Sequence, residues 1–151
     1  MEMKNNLKIM SIEDYDYTNK TVLLRVDINS PIDPVTKMIV SENRIIKSIP
    51  TIKNLLDKKA KVAIIAHQGD TLDYQNLISM KEHAEKLSVL LGQTIVYVDD
   101  VAGPGAKMAI QKLLPGEAVL LGNLRYLCEE VSTFENTVKL EAKDMLSLIH
   151  I

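Results

Sequence analysis

Cysteine is nearly missing from this chain: Cys128 stands alone among 151 residues. No internal disulfide can form and no multi-cysteine metal site can be assembled, a usage that suits a reducing cytosol. Long apolar runs are missing too. No segment approaches the roughly 18 apolar residues of a spanning helix, and nothing near Met1 joins a basic flank to an apolar stretch as a secretory leader does. Charge of one sign is also missing. The formal net charge is -2, the pI is near 5.9, and no block of like charge marks a tail. General attraction to polyanions is thereby excluded, and any anion has to be bound locally. Neither nucleotide fingerprint is present. The run Gly103, Pro104, Gly105 lacks the Lys-Ser/Thr ending of a P-loop and reads as a plain turn into a helix. No G-x-G-x-x-G follows the first apolar run, which argues against a dinucleotide-binding oxidoreductase. These absences describe a soluble cytoplasmic protein with no nucleic-acid or membrane partner, and nothing in the sequence fixes an oligomeric state.

With 46% hydrophobic and 25% charged residues, the chain is long enough for one ordinary globular domain and too short for two. Four short apolar runs read as buried strands: residues 21–27 (TVLLRVD), 61–66 (KVAIIA), 94–98 (TIVYV) and 117–121 (EAVLL). Helical patterns lie between them at residues 42–59, 80–91 and 105–114. Ser79 with Glu82 three residues on has the form of a capping box, and Gly92 stands where a helix stop belongs. Pro50 should kink the first helix or restart it near Ser48. Strand, helix, strand repeated at this spacing implies the α/β class: a parallel sheet with right-handed crossovers, covered by helices in a Rossmann-like three-layer arrangement. Ligands of such sheets bind beyond the carboxyl ends of the strands.

Only three of the 18 basic residues are arginines, Arg25, Arg44 and Arg125, and the rest are lysines. A planar guanidinium binds phosphate and carboxylate bidentately, so scarce arginines are worth locating. Two of them fall where a ligand would be sought. The first strand runs out through Arg25, Asp27 and Asn29, which a two-residue period sends to one side. Asp27 can accept from a ligand hydroxyl, and Asn29 can donate and accept. Arg44 opens the first helix, where exposed amides and the helix dipole favour an anion. His67 ends the second strand and Arg125 follows the fourth. Asp27, Asn29, Arg44, His67 and Arg125 together suit a small anionic, hydroxylated ligand, while as single residues they serve equally to stop strands and turn the chain. His83, mid-helix, and His150 read as structural or incidental.

At these same residues the sequence resembles phosphoglycerate kinase, in particular its archaeal branch, from Lys20 to Glu130. The matching motifs occur in order: TVLLRVDINSPIDP, NRIIKSIPTIKNLLDKKAKV, AHQG, EHAEKLSVLLG, VYVDDVAGP and PGEAVLLGNLRY followed by EE. The resemblance implies the substrate-binding, amino-terminal domain of that fold. It implies that Asp27, Ile28 and Asn29 contact 3-phosphoglycerate, and that Arg44 binds it and stabilises the transferring phosphoryl group. His67, Gln68, Gly69, Asp70 and Arg125 would complete the pocket, and Arg25 would be a structural partner within the sheet. The implied reaction is reversible phosphoryl transfer between 1,3-bisphosphoglycerate with ADP and 3-phosphoglycerate with ATP, in glycolysis and gluconeogenesis. Magnesium accompanies the nucleotide, which would be held by a domain absent from this chain. On this reading residues 1–145 are part of the substrate domain, residues 146–151 (LSLIHI) are a non-native tail, and the chain alone is inactive. A non-catalytic binding or regulatory module derived from the same family is the alternative. Two positions depart from the family pattern: Asp70 replaces a common arginine and Gly122 a common glutamate. The first reverses charge beside a phosphate site.

Overall fold

The computed structural model describes residues 11–70 and 77–131. Four parallel strands form one sheet: β1 (Thr21–Arg25), β2 (Lys61–Ala66), β3 (Val96–Tyr97) and β4 (Ala118–Asn123), in the order β1-β2-β4-β3. Helices α1 (Asn43–Asp57), α2 (Lys81–Leu91) and α3 (Pro104–Lys112) make the crossovers, and a short α4 (Cys128–Val131) follows β4. The α/β class and all four strand positions agree with the sequence reading. The third strand is shorter than expected, and the first ends two residues early.

Period-two alternation divides the sheet between two cores. Val22, Leu24, Val62, Ile64, Ala66, Ala118 and Leu120 face one way, toward Ile45, Ile52, Leu55 and Leu56 of α1 and toward Ala84 and Leu87 of α2. Leu23, Ala63, Ile65, Val119 and Leu121 face the other, where α3 supplies Ala106, Ala109 and Ile110. The central strands carry apolar residues on both faces because both are covered, and β4 is buried throughout. A single fully buried leucine or isoleucine here contributes about 1.5–3 kcal/mol relative to exposure.

Three local expectations are corrected. Helix α1 runs unbroken through Pro50 and does not restart near Ser48. Pro50 is exposed, as is Ile46 one turn earlier, so the carbonyl that Pro50 leaves without an intrahelical donor lies on the solvent side of the helix. The capping box at Ser79 does not form, because Met80 takes the N-cap position. The Ser79 hydroxyl instead accepts from Lys81 N–H at 3.1 Å, while the Glu82 carboxylate crosses to Ile39 N–H at 3.0 Å. Gly92 does end α2, at φ +67°, a left-handed conformation that only glycine adopts without strain.

Gly103 and Gly105, on either side of the first residue of α3, make room for an internal anion. Asp100 accepts from Gly103 N–H at 2.8 Å and from Ala106 N–H at 3.0 Å, so its carboxylate occupies the N-terminus of the helix. Those bonds hold its acid strength above the usual carboxylate range, with its pKa lowered. A Cβ on Gly103 or Gly105 would stand 2.8 or 2.9 Å from the Asp100 carboxylate oxygens. A side chain at either position would therefore force the Asp100 carboxylate to shift from these bonds.

Candidate functional site

The carboxyl ends of β1, β2 and β4 lie side by side, and the loops leaving them carry most of the residues singled out above. Leaving β1, Asp27 is exposed and meets Arg44, the second residue of α1. One guanidinium nitrogen, Nη1, donates to both carboxylate oxygens at 2.8 and 2.6 Å. Among the described residues the other two nitrogens of Arg44 make no hydrogen bond. That guanidinium holds the Asp27 carboxyl below its usual range. Both side chains are at least half exposed, so the pair contributes at most about 1 kcal/mol to stability and can be exchanged cheaply for a ligand. An open cleft of about 460 Å³ beside the pair is lined by Arg25, Asp27, Arg44, Lys47, Ser48 and Thr51 among others. His67 and Arg125 are not part of its lining, so the residues read as one crevice share a neighbourhood and not a single wall.

Asn29 turns its carbonyl oxygen to Gly69 N–H at 3.1 Å, tying the β1 and β2 loops and leaving its amide nitrogen to donate. His67 is half-buried at the end of β2. Burial lowers its pKa, and the nearby Arg125 and Arg25 lower it further against the opposing pull of Asp27 and Glu130. The imidazole is therefore neutral at pH 7. Arg125 sits in the 3-10 turn Leu124–Tyr126, set there by Asn123, whose Oδ1 accepts Arg125 N–H at 3.0 Å. The Arg125 Nε is buried and has no hydrogen-bond partner among the described residues. A buried guanidinium N–H without an acceptor is costly unless something supplies one.

Two of the expected ligand contacts face inward. Ile28 is fully buried in the core, and the Gln68 side chain, 2% exposed, is consumed by bonds to Ser30 and His83. Only their backbones could meet a ligand. Gly69 is buried and bonded to Asn29, and Asp70 is exposed at the rim. Gly122 lies in a β-bulge, where β4 gains a residue against β2 between the Ile64 and Ala66 pairings. Its N–H donates to the Asp100 carbonyl at 3.1 Å, and a Cβ there would stand 3.2 Å from the Asp100 nitrogen and the Val101 side chain. Glycine thus lets the Asp100 loop lie against the strand. Residues 71–76, and with them most of the unusual TLDYQNL segment, fall outside the described residues, as does the 146–151 tail.

Sequence reasoning missed Glu130, which forms a two-pronged ion pair with Arg25, Nη1 to Oε2 at 3.3 Å and a closer Nη2 contact to Oε1. Arg25 was read as a partner within the sheet, and its acceptor comes from α4 instead. Glu42 was missed as well: Lys86 of α2 binds it at 2.7 Å and so anchors the start of α1, two residues before Arg44. Neither pairing has a sequence signal, since each joins residues more than 40 positions apart.

Comparison with known proteins gives a consistent result. The family model described as phosphoglycerate kinase matches residues 12–150. The phosphoglycerate kinase of Sulfurisphaera tokodaii is 47% identical over 126 residues, covering 83% of this chain and 30% of that protein. That of Methanothermus fervidus is 39% identical over 134 residues, covering 89% of this chain and 32% of its own length. The crystal structure of phosphoglycerate kinase from Pyrococcus horikoshii superposes with a TM-score of 0.77 at 40% identity, over 82% of this chain and 30% of that one. The chain thus spans about 30% of the length of the curated relatives it matches.

Proposed function

The chain belongs to the phosphoglycerate kinase family, and from that premise we propose that its strand-end cluster binds 3-phosphoglycerate as part of a phosphoglycerate kinase. The observation that carries this reading is the buried, unpartnered Nε of Arg125 beside a neutral His67, with Arg44 held nearby through a single nitrogen. Such a set offers guanidinium donors to phosphate or carboxylate oxygens. Asp27 is ionised and accepts from the substrate hydroxyl, and the Asn29 amide donates. Arg44 keeps its remaining N–H groups for an anion while Asp27 holds its position. In the complete reaction, phosphoryl transfer between 1,3-bisphosphoglycerate with ADP and 3-phosphoglycerate with ATP, the protein supplies in-line positioning and charge stabilisation more than covalent chemistry. Arg44 fits the stabilising role. On this reading the nucleotide and its magnesium ion are held by a part of the protein outside this chain, and no residue here is assigned to them.

Titration of 3-phosphoglycerate into the chain, followed by amide and imidazole NMR, tests the reading. Shifts should concentrate at Asp27, Asn29, Arg44, His67 and Arg125, and the His67 pKa should rise, because a bound anion stabilises the imidazolium. Arg125→Met should weaken binding by roughly tenfold or more, the cost of a lost charged hydrogen bond. Saturating ligand with no shift at these residues would overturn the assignment.

A further inference from the structure

Among the described residues four buried residues are polar, Ser30, Gln68, His83 and Asn123, and all four belong to one hydrogen-bonded group beneath the strand ends, Ser30 through its peptide. The Gln68 amide and the Ser30 peptide exchange two bonds: Ser30 N–H donates to Oε1 and Nε2–H donates to the Ser30 carbonyl, both at 2.9 Å. Asn123 does the same to the Gln68 peptide, accepting from its N–H at 3.1 Å and donating to its carbonyl at 2.8 Å. Each exchange reproduces with a side chain what a backbone peptide does in a sheet. Asn123 also accepts Arg125 N–H at 3.0 Å and donates to the Ile78 carbonyl at 2.9 Å.

The location of these exchanges matters. The last backbone bond between the exit of β1 and β2 is Val26 N–H to the Ile65 carbonyl, at 3.1 Å. Past it, the loops bearing Asp27 and Asn29, His67 and Gly69, and Arg125 have left the ladder. The two amides take over at that point, joining the β1 loop to the β2 loop and the β2 loop to the β4 loop. His83 completes the group from α2. Because the Ser30 N–H fixes Oε1 as the oxygen end of Gln68, the His83 Nε2, 3.0 Å away, must be the donor. Buried amides cost free energy unless every bond is made, and well-packed apolar side chains would serve stability as well. What apolar packing does not give is a fixed spacing between three loops.

We propose that Gln68 and Asn123, with His83 securing Gln68, are positioning residues of the candidate site, two side-chain amides that extend the sheet beyond its strand ends and set the distance between His67, Arg125 and the Asp27–Asn29 loop. This inference rests on the 3-phosphoglycerate reading for its ligand but has a readout that does not. In the wild-type chain, hydrogen exchange should protect Ser30 N–H and Gln68 N–H as strongly as the amides of β2, although both lie in loops. Exchange at the rate of open loops would overturn the proposal. In Gln68→Met, a folded variant should bind 3-phosphoglycerate roughly tenfold or more weakly. Its His67 titration should move further below the ordinary histidine value as the β1 loop loosens and Asp27, whose charge pulls it upward, draws away. Unchanged affinity and unchanged His67 titration would overturn the proposal, since a purely stabilising role moves neither. If the variant does not fold, the wild-type exchange rates decide alone. If the wild type shows no binding of 3-phosphoglycerate, the functional reading fails while the exchange and His67 measurements still judge the clasp.

Discussion

His83 is fully buried, and burial drives its pKa down from 6.5 to about 4. The folded state therefore holds fewer protons than the unfolded state between those values. Stability from this residue is complete above pH 6.5 and is lost as pH falls toward 4, by about 3 kcal/mol at most for a difference of this size. His67 is lowered in the same direction and adds to the slope. Denaturant midpoints measured from pH 7 to pH 4.5 should fall for the wild type and fall less for His83→Gln, and equal slopes would show that the imidazole is not buried neutral. Asp70 gives a second residue-level expectation. It is exposed at the rim of the site, on the loop of His67 and Gly69. A carboxylate there repels an anionic ligand, and an arginine attracts it, so Asp70→Arg should tighten 3-phosphoglycerate binding roughly fivefold at low salt. The gain should shrink as ionic strength rises. Calorimetry at two salt concentrations checks it, and unchanged affinity at low salt would remove Asp70 from the site.

At the scale of elements, the starts of α1 and α3 each depend on an acidic side chain, held from afar in one case and supplied locally in the other. Glu42 caps α1 without a side-chain bond of its own to the helix and is held by Lys86, whereas α3 is capped by a carboxylate four residues before it begins. These contacts explain where local patterns succeeded and failed. Gly92 was legible as a stop because the left-handed conformation is a property of one residue. The capping box was not, since Glu82 found a better-placed donor at Ile39, more than 40 positions away. The Gly103, Pro104, Gly105 run was correctly read as a turn, but its reason, room for Asp100, lies in three dimensions. Gly105→Ala tests that reason. Its new Cβ would press on a carboxylate that cannot move without releasing Ala106 N–H, so thermal or urea unfolding should register a loss of about 1–3 kcal/mol. A neutral outcome would mean that Asp100 can shift freely.

Across the whole molecule, the class of fold and the four strands were legible because central parallel strands read as continuous apolar runs whatever their order. Strand order was not legible, since β4 inserts between β2 and β3 and no local pattern encodes which neighbour a buried strand chooses. The sequence placed Asp27, Arg44, His67 and Arg125 at strand ends and at a helix start, where the structure has them, whereas no local pattern showed that the side chains of Ile28 and Gln68 turn into the core. Coverage of only about 30% of its relatives sets the last expectation. A chain that binds one substrate does not by itself place the phosphoryl donor in line. Purified residues 1–151 should give no measurable ATP-dependent phosphorylation of 3-phosphoglycerate in a coupled assay, and robust turnover would overturn that expectation.

The insertion of β4 between β2 and β3 also dictates an order of events while the protein is being synthesised. As the chain emerges from its amino terminus, β1 and β2 can pair at once, but β3 has no strand to join until Ala118–Asn123 has followed it out. Asn123, the final residue of that strand, brings with it both bonds to Gln68. The three loops are thus fastened together only when nearly all of the described chain has been made, and the half-made protein has strands before the loops at their ends are joined.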